Sequence, residues 1–285
     1  AMAKYPDAFS NFYVNMVRAG EAGGVLEHVL ERLGIFLESS QELKDYIKSA
    51  MIYPVFLLCV SGLSIIIMMT FVVPRFSVIF SDMGSAVPMS TRFLLWMSEY
   101  LKTWWWTIPV LTALIYFGFR QYSMTRSGRM RLDSLKINLI LIGTLVKKIE
   151  VARFARTLGT LVKSGVPILE ALHLTRGIMT NKVVSESLDL VHKRVKEGER
   201  LSKPLGESGI FPSLAVQMIM VGEETGRLDE MLLRVADNYE KTVKNLVHRL
   251  VSLLEPVLIL IMGCVVAFIV ISMLLGIFSM NELPL

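Results

Sequence analysis

Two distant stretches of the chain superimpose without a gap when one is slid by 202 positions. Ala19-Gly20-Glu21-Ala22-Gly23-Gly24-Val25-Leu26-Glu27 falls on Val221-Gly222-Glu223-Glu224-Thr225-Gly226-Arg227-Leu228-Asp229. Gly20 meets Gly222, Glu21 meets Glu223, Gly24 meets Gly226 and Leu26 meets Leu228. The same shift continues through Leu30 and Leu232, Pro54 and Pro256, and Phe76 and Phe278. A turn, an amphipathic helix and a long apolar run therefore recur together, as in an internal duplication. Shifted back, the helices expected between Val151 and Val195 fall before Ala1, so the chain reads as a fragment that begins inside its first repeat.

Within each repeat the pattern is helical. Leu26, Val29, Leu30, Leu33 and Leu37 recur at the spacing of an amphipathic helix, opposite Glu27, Glu31, Arg32 and Glu38. A shorter helix, Phe9 to Ala19, precedes it and ends at Gly20, with Gly23 and Gly24 completing the turn. Met51 to Val73 carries no charge and is long enough to cross a hydrocarbon core of roughly 30 Å. Pro54 is expected in the first turn of this span, where its missing N–H is tolerated. Leu253 to Phe278 is the matching run, with Pro256 near its start and Glu255 at its boundary, either facing the interface or touching another helix. Between them, Trp104 to Phe119 is a shorter span opened by three adjacent tryptophans suited to a membrane boundary. Ser90 is placed to cap an amphipathic segment with Phe93, Trp96, Met97, Tyr100 and Leu101 on one side.

Charge sets the orientation. Arg120, Arg126, Arg129, Arg131 and Lys136 crowd the end of the middle span, whereas the loop before it holds only Arg75, Arg92 and Lys102. By the positive-inside rule the N-terminal and middle segments are cytoplasmic, and the first loop and the C-terminus lie outside. The basic run is suited to anionic headgroups. It lacks the aromatic interleaving or fold of a nucleic-acid site, so no nucleic-acid partner is expected.

The longest polar stretch, Lys147 to His248, reads as a helical bundle. Val151, Phe154, Ala155, Leu158, Leu161 and Val162 form one stripe, and Pro167 starts a second helix, Ile168 to Met179. Val184, Leu188, Val191 and Val195 mark a third helix, and Ser202 to Pro212 is a loop. Ser213 to Val221 is a fourth helix ended by Gly222, and Leu228 to Leu246 is a fifth. Short connections favour antiparallel packing.

The fold class expected is thus all-α, a polytopic membrane protein with three transmembrane helices and duplicated cytoplasmic antiparallel helical bundles, the first incomplete. The segments are 1–50 for the end of the first cytoplasmic domain, 51–74 for the first span, 75–103 for an outer loop and 104–120 for the second span. The second cytoplasmic domain is 121–252, the third span 253–279 and the outer tail 280–285.

No phosphate-binding Gly-x-x-x-x-Gly-Lys-Ser/Thr loop, His-Glu-x-x-His or nucleophile elbow occurs, so no catalytic residues are assigned. Cys59 and Cys264 both lie in apolar runs, without metal-type spacing. Glu27 and Glu31, four apart on one helical face, are either solvated surface or ligands for a hard cation such as Ca²⁺. Glu21 and Glu223 recur although the residues that follow them do not: Ala22 faces Glu224 and Gly23 faces Thr225. A turn needs its glycines but not that acid, so Glu223 is expected to make a specific contact, to a backbone N–H or basic group of the bundle or to a partner.

Arg153-Phe154-Ala155-Arg156-Thr157-Leu158-Gly159-Thr160-Leu161 with Ser164-Gly165-Val166-Pro167, and Phe211-Pro212 with Gly222-Glu223-Glu224-Thr225-Gly226 and Leu228-Asp229, resemble the two signatures of one family. It is the family of the inner-membrane platform protein F of bacterial type II secretion and its type IV pilus relative. Pro88-Met89-Ser90-Thr91-Arg92 and Asn281-Glu282-Leu283-Pro284 are more similar to the secretion branch. The resemblance implies a non-enzymatic, homo-oligomeric assembly platform in the inner membrane, in contact with lipid. Its implied partners are the secretion ATPase (E component), the membrane anchors (L and M components) and the major pseudopilin (G component). It also implies a Ca²⁺ site on the first bundle, which Glu31 matches best with Glu27 near it, although Ile35 stands where a further acid is often found. The other readings are a type IV pilus platform and a transporter or exporter permease, which would need polar residues lining the spans.

Overall fold

Amphipathic periodicity is followed by helices almost throughout the computed structural model, which describes residues 13–14, 16–17, 21, 26–76, 88–139 and 142–281. Among these residues every regular element is helical. We number them α1 Leu26–Ile67, α2 Met89–Trp104, α3 Thr107–Met124, α4 Arg126–Asn138, α5 Ile142–Lys163, α6 Ile168–Ile178, α7 Lys182–Lys196, α8 Ser202–Glu207, α9 Ser213–Thr225 and α10 Leu228–Asn281. A π-helical stretch, Met68–Val72, continues α1. Two units result, one drawing on the described residues up to Lys48 and on Tyr122–Val247, the other on Ser49–Gln121 and on His248 onward.

The first unit is built around α5. Phe154, Leu158 and Leu161 have no exposed surface, and Val151, Ala152 and Ala155 are almost as buried. A helix buried on so many sides sits at the centre of its bundle. α6 packs on it through Ala171 and Leu172, α7 contributes Val184, Leu188 and Val191, α9 contributes Ala215 and Ile219, and α10 contributes Leu232, Val235 and Ala236 to the same core. The stripe expected on α1 is only partly used. Val29, Leu33 and Phe36 are buried, but Leu30 is 46% exposed where its repeat counterpart Leu232 is fully buried. Leu232 faces Gly159 of α5, where an added Cβ would come within 3.0 Å of it.

Several sequence expectations change here. Ser202 to Pro212 is not all loop, since α8 occupies its first half. Gly222 does not end a helix: α9 runs on to Thr225, and Gly226 terminates it with a φ of +70°, the left-handed conformation that glycine adopts without steric cost. Gly222 is buried inside α9, and a Cβ there would stand 3.0 Å from Leu228 Cα and 2.9 Å from Met231 Cβ. It is needed for close approach of α9 to α10. Pro54 does not sit in a first turn either, and Pro256 is likewise interior to its helix. Each lies inside one unbroken helix, α1 or α10, where proline removes one ladder hydrogen bond.

The segments over Val29–Phe76 and Leu228–Phe278, each of which begins in the first unit and continues into the second, are the two helices, among the described residues, long and apolar enough to cross a membrane. Their most apolar windows are only 6% and 17% buried, which separates them from the core helices of a soluble domain. α3 begins at Thr107, so the three tryptophans that open the middle span expected from sequence lie at the end of α2 and in the turn after it, and α3 does not reach that combination of length and apolar content. α2 begins after Pro88, so Ser90 is not its cap. The face of α2 that packs is the small, polar one. Thr91, Leu94 and Ser98 are buried, while Phe93, Trp96, Met97 and Tyr100 point outward. The Thr91 hydroxyl donates to the Ser272 carbonyl of α10, and the Ser98 hydroxyl donates to the Met69 carbonyl within the π-helical stretch, both at 2.5 Å. Around them Met69, Val73, Leu94, Ile269 and Met273 form a small apolar core.

Candidate functional site

The repeated corner is organised by Glu223. This half-buried carboxylate at the end of α9 reaches the start of α8, more than twenty residues back in the chain. One oxygen accepts the Leu201 N–H; the other accepts the Ser202 N–H at 3.1 Å and the Ser202 hydroxyl at 2.5 Å. The first N–H groups of a helix have no intrahelical acceptor, and α8 has no cap from its own N-cap residue, Leu201. Glu223 fills that role from a neighbouring helix. Its charge also suits the positive end of the helix dipole. Glu224, one residue on, is exposed and meets Arg200 at 3.4 Å. Arg194 of α7 holds the far end of α8 through Glu207 and pairs with Glu199 at 2.6 Å. Its hydrogen bonds hold both carboxyls below their ordinary range.

The two stretches that carried the family resemblance meet in space. Phe154 of α5 and Phe211, just before α9, are edge to face with centroids 4.8 Å apart. The arginines flanking Phe154 point elsewhere. Arg156 grips Glu240 of α10 with Nε at 2.9 Å and Nη2 at 2.7 Å, and also reaches Asp237 at 2.5 Å. Arg153 pairs with Glu150 at 2.8 Å and reaches the Thr180 hydroxyl. Glu150 is nearly inaccessible, and burial pushes its carboxyl above the usual range against the lowering pull of Arg153. Its other oxygen accepts the Thr180 N–H at 3.2 Å. Asp133 of α4, also buried, accepts the Lys182 N–H at 3.0 Å. These acids hold the α6–α7 turn. Reading the sequence missed Asp133 and Glu150 because nothing in a helical pattern announces a carboxylate whose partner is a remote backbone N–H.

In the second unit Tyr53 of α1 donates to Glu255 of α10 at 3.0 Å. These positions are 202 residues apart, so each is the other's counterpart in the repeat. In the first unit Lys244 and Glu42 form an ion pair at 3.7 Å, and they too differ by the repeat shift. Both contacts thus join a position of α1 to its own counterpart on α10. Of the two roles open to Glu255, the helix–helix contact is the one seen. With Cys59 and Cys264 replaced by Ala, the Tyr53→Cys/Glu255→Cys chain is expected to cross-link within itself through a short bis-maleimide. Exclusively intermolecular products on denaturing gels would contradict the pairing.

The remaining sequence candidates are dispersed. Glu21, Glu27 and Glu31 are exposed; Gly20 lies outside the described residues. Among the described residues no group of three or more His, Cys, Asp and Glu side chains is placed to hold a metal.

Comparison with known proteins gives a consistent result. The family model described as "Type II secretion system (T2SS), protein F" matches residues 1–74 and 154–276. The two matched segments end 202 residues apart, the shift of the repeat. The chain is 40% identical over 272 residues to the type IV pilus assembly protein PilC of Thermus thermophilus, covering 95% of this chain and 67% of that protein. It is 36% identical over 282 residues to the type II secretion system protein F of Xanthomonas campestris pv. campestris, covering 99% and 70%. It is 35% identical over 283 residues to the protein of the same name from Vibrio cholerae, again covering 99% and 70%.

Proposed function

This chain belongs to the type II secretion system protein F family, and from that premise we propose that it is an inner-membrane assembly platform. In this reading it couples a cytoplasmic assembly ATPase to the building of a pseudopilus and so to protein export across the outer membrane. The observation that carries the reading, beyond membership, is the unbroken 54-residue helix α10. It begins at the Glu223 corner, contributes to the bundle core through Leu232 and Val235, and continues as an apolar segment. In this reading the helix passes motion applied to the bundle on to the apolar segment.

The finer topology belongs to the same proposal. α3 supplies a third span of about 27 Å, and its mostly exposed apolar side chains face lipid. The bundle is one of two duplicated cytoplasmic domains, and the C-terminus lies outside. The platform is non-enzymatic and homo-oligomeric, with the secretion ATPase, the membrane anchors and the major pseudopilin as partners. Calcium on the first bundle, with Glu31 and Glu27 as ligands, is the metal it would take. The residues Pro88 to Arg92 favour the secretion branch; the 40% identity to a pilus assembly protein favours the pilus branch as the second reading.

Deletion of the gene tests both. Loss of secreted proteins from the medium, restored by the intact gene, is expected for the secretion platform. Loss of surface pili with secretion unaffected would assign the pilus branch. Retention of both would sink the proposal. A photo-cross-linker on the exposed face of α7, at Leu190, is expected to capture the assembly ATPase in membranes.

A further inference from the structure

In the first unit a cleft of about 400 Å³ opens beside the α6–α7 turn. Arg129 of α4, His173 and Arg176 of α6 and Lys182 of α7 line it, together with Thr180 and Ser185. No carboxylate lines it among the described residues. Among the described residues Arg176 has an ion-pair partner, Asp189 at 2.8 Å on the flank of α7, and Arg129 and Lys182 have none. Arg129 makes only a long contact, 3.5 Å, to the Thr180 carbonyl. Arg129 of α4 and Lys182 of α7 thus bring two positive charges to one concavity beside the paired Arg176, and an anion there would offset their repulsion.

We propose that this cleft is a binding site for a phosphoryl anion. The backbone does not supply the site, because the turn's N–H groups are already used. Glu150 takes that of Thr180, Asp133 that of Lys182, and the Asn181 side chain those of Val183 and Val184. Recognition rests on the side chains, and a phosphoryl group presents several oxygens to donors arriving from different directions. The volume falls in the range of small-ligand clefts and not of the extended surface that an acidic polypeptide needs. Two sources share this chemistry. One is a soluble phosphate compound. The other is an acidic phospholipid headgroup, for Arg129 follows the last residue of α3 by only five positions within a basic run.

The test uses the full chain in neutral detergent with two probes: inorganic pyrophosphate, and phosphatidylcholine bicelles with or without phosphatidylglycerol. Saturable binding of at least one probe is expected, weakening as salt rises. Binding of pyrophosphate alone assigns a soluble ligand, and binding only of the phosphatidylglycerol bicelles assigns a headgroup. The Arg129→Ala/Lys182→Ala chain, which removes two charged donors, is expected to bind at least about tenfold more weakly. The charge-conserving Arg129→Lys/Lys182→Arg chain retains binding, as does a Lys193→Ala/Lys196→Ala control on the same helix. The proposal is overturned if neither probe saturates, or if the double alanine chain binds as the parent does. Helix content and unfolding temperature are compared for every variant, and if the double alanine chain fails to fold the single Lys182→Ala variant carries the comparison, with weaker binding expected and unchanged binding overturning the site.

Discussion

Replacing Phe154 by Ala is expected to destabilise the chain by about 3–5 kcal/mol, the range for deleting a fully buried aromatic side chain. Phe154 has no exposed surface and packs edge to face on Phe211. It lies on the central helix of the first unit, whose core draws on α6, α7, α9 and α10. The vacated volume has little chance to collapse, because its walls are helices held by their own contacts. Domains are stable by only about 5–15 kcal/mol, so this one change removes a large part of the margin. Chemical denaturation of the purified full chain measures it, and Phe154→Leu is expected to recover most of the loss. A cost below about 1 kcal/mol would mean that the two signature segments do not share a core.

Replacing Glu223 by Ala is expected to cost about 2 kcal/mol, the upper range for losing a helix cap. Three donors lose their acceptor at once: the Leu201 N–H, the Ser202 N–H and the Ser202 hydroxyl. Glu223→Gln keeps one carbonyl oxygen but turns an N–H toward a donor, so it falls between the parent and Glu223→Ala. Glu224→Ala, which removes an exposed carboxylate 3.4 Å from Arg200, is expected to stay within about 0.5 kcal/mol of the parent. Hydrogen exchange gives the local readout. The Leu201 and Ser202 amides exchange faster in Glu223→Ala while those of α5 stay protected. Equal effects of the two substitutions would show that the cap is not what makes Glu223 matter.

Legibility in the sequence followed physical range. The stripe on α5 was readable because its residues bury one another's neighbours at a fixed helical period. The stripe on α1 was readable as a helix but misjudged in burial: Leu26, Leu30 and Leu37 fit the period yet remain exposed, since burial depends on what packs opposite. On α2 the sequence put the aromatic side chains on one side without saying which side packs, and the buried face is Thr91, Leu94 and Ser98. Beside apolar helices the aromatic side chains gain nothing special from turning inward, whereas two hydroxyls gain hydrogen bonds to the Met69 and Ser272 carbonyls. Gly222 was recognisable as constrained, but a turn and a close helix contact demand glycine equally, and only the position of Met231 distinguishes them.

By itself the sequence determined the helical class, two apolar segments of membrane-crossing length, the duplication and the family, because each is written in local periodicity or in residue identity at a constant shift. Tertiary structure alone decided which acid of the Glu223-Glu224 pair caps a helix, which glycine ends α9, and which side chains meet around the α6–α7 turn. It also showed Tyr53 touching Glu255, its own counterpart. These are contacts between elements remote in the chain. A helix's own sequence states which of its faces is apolar; what docks there, and which backbone donors are left wanting an acceptor, is set only when the other helices arrive.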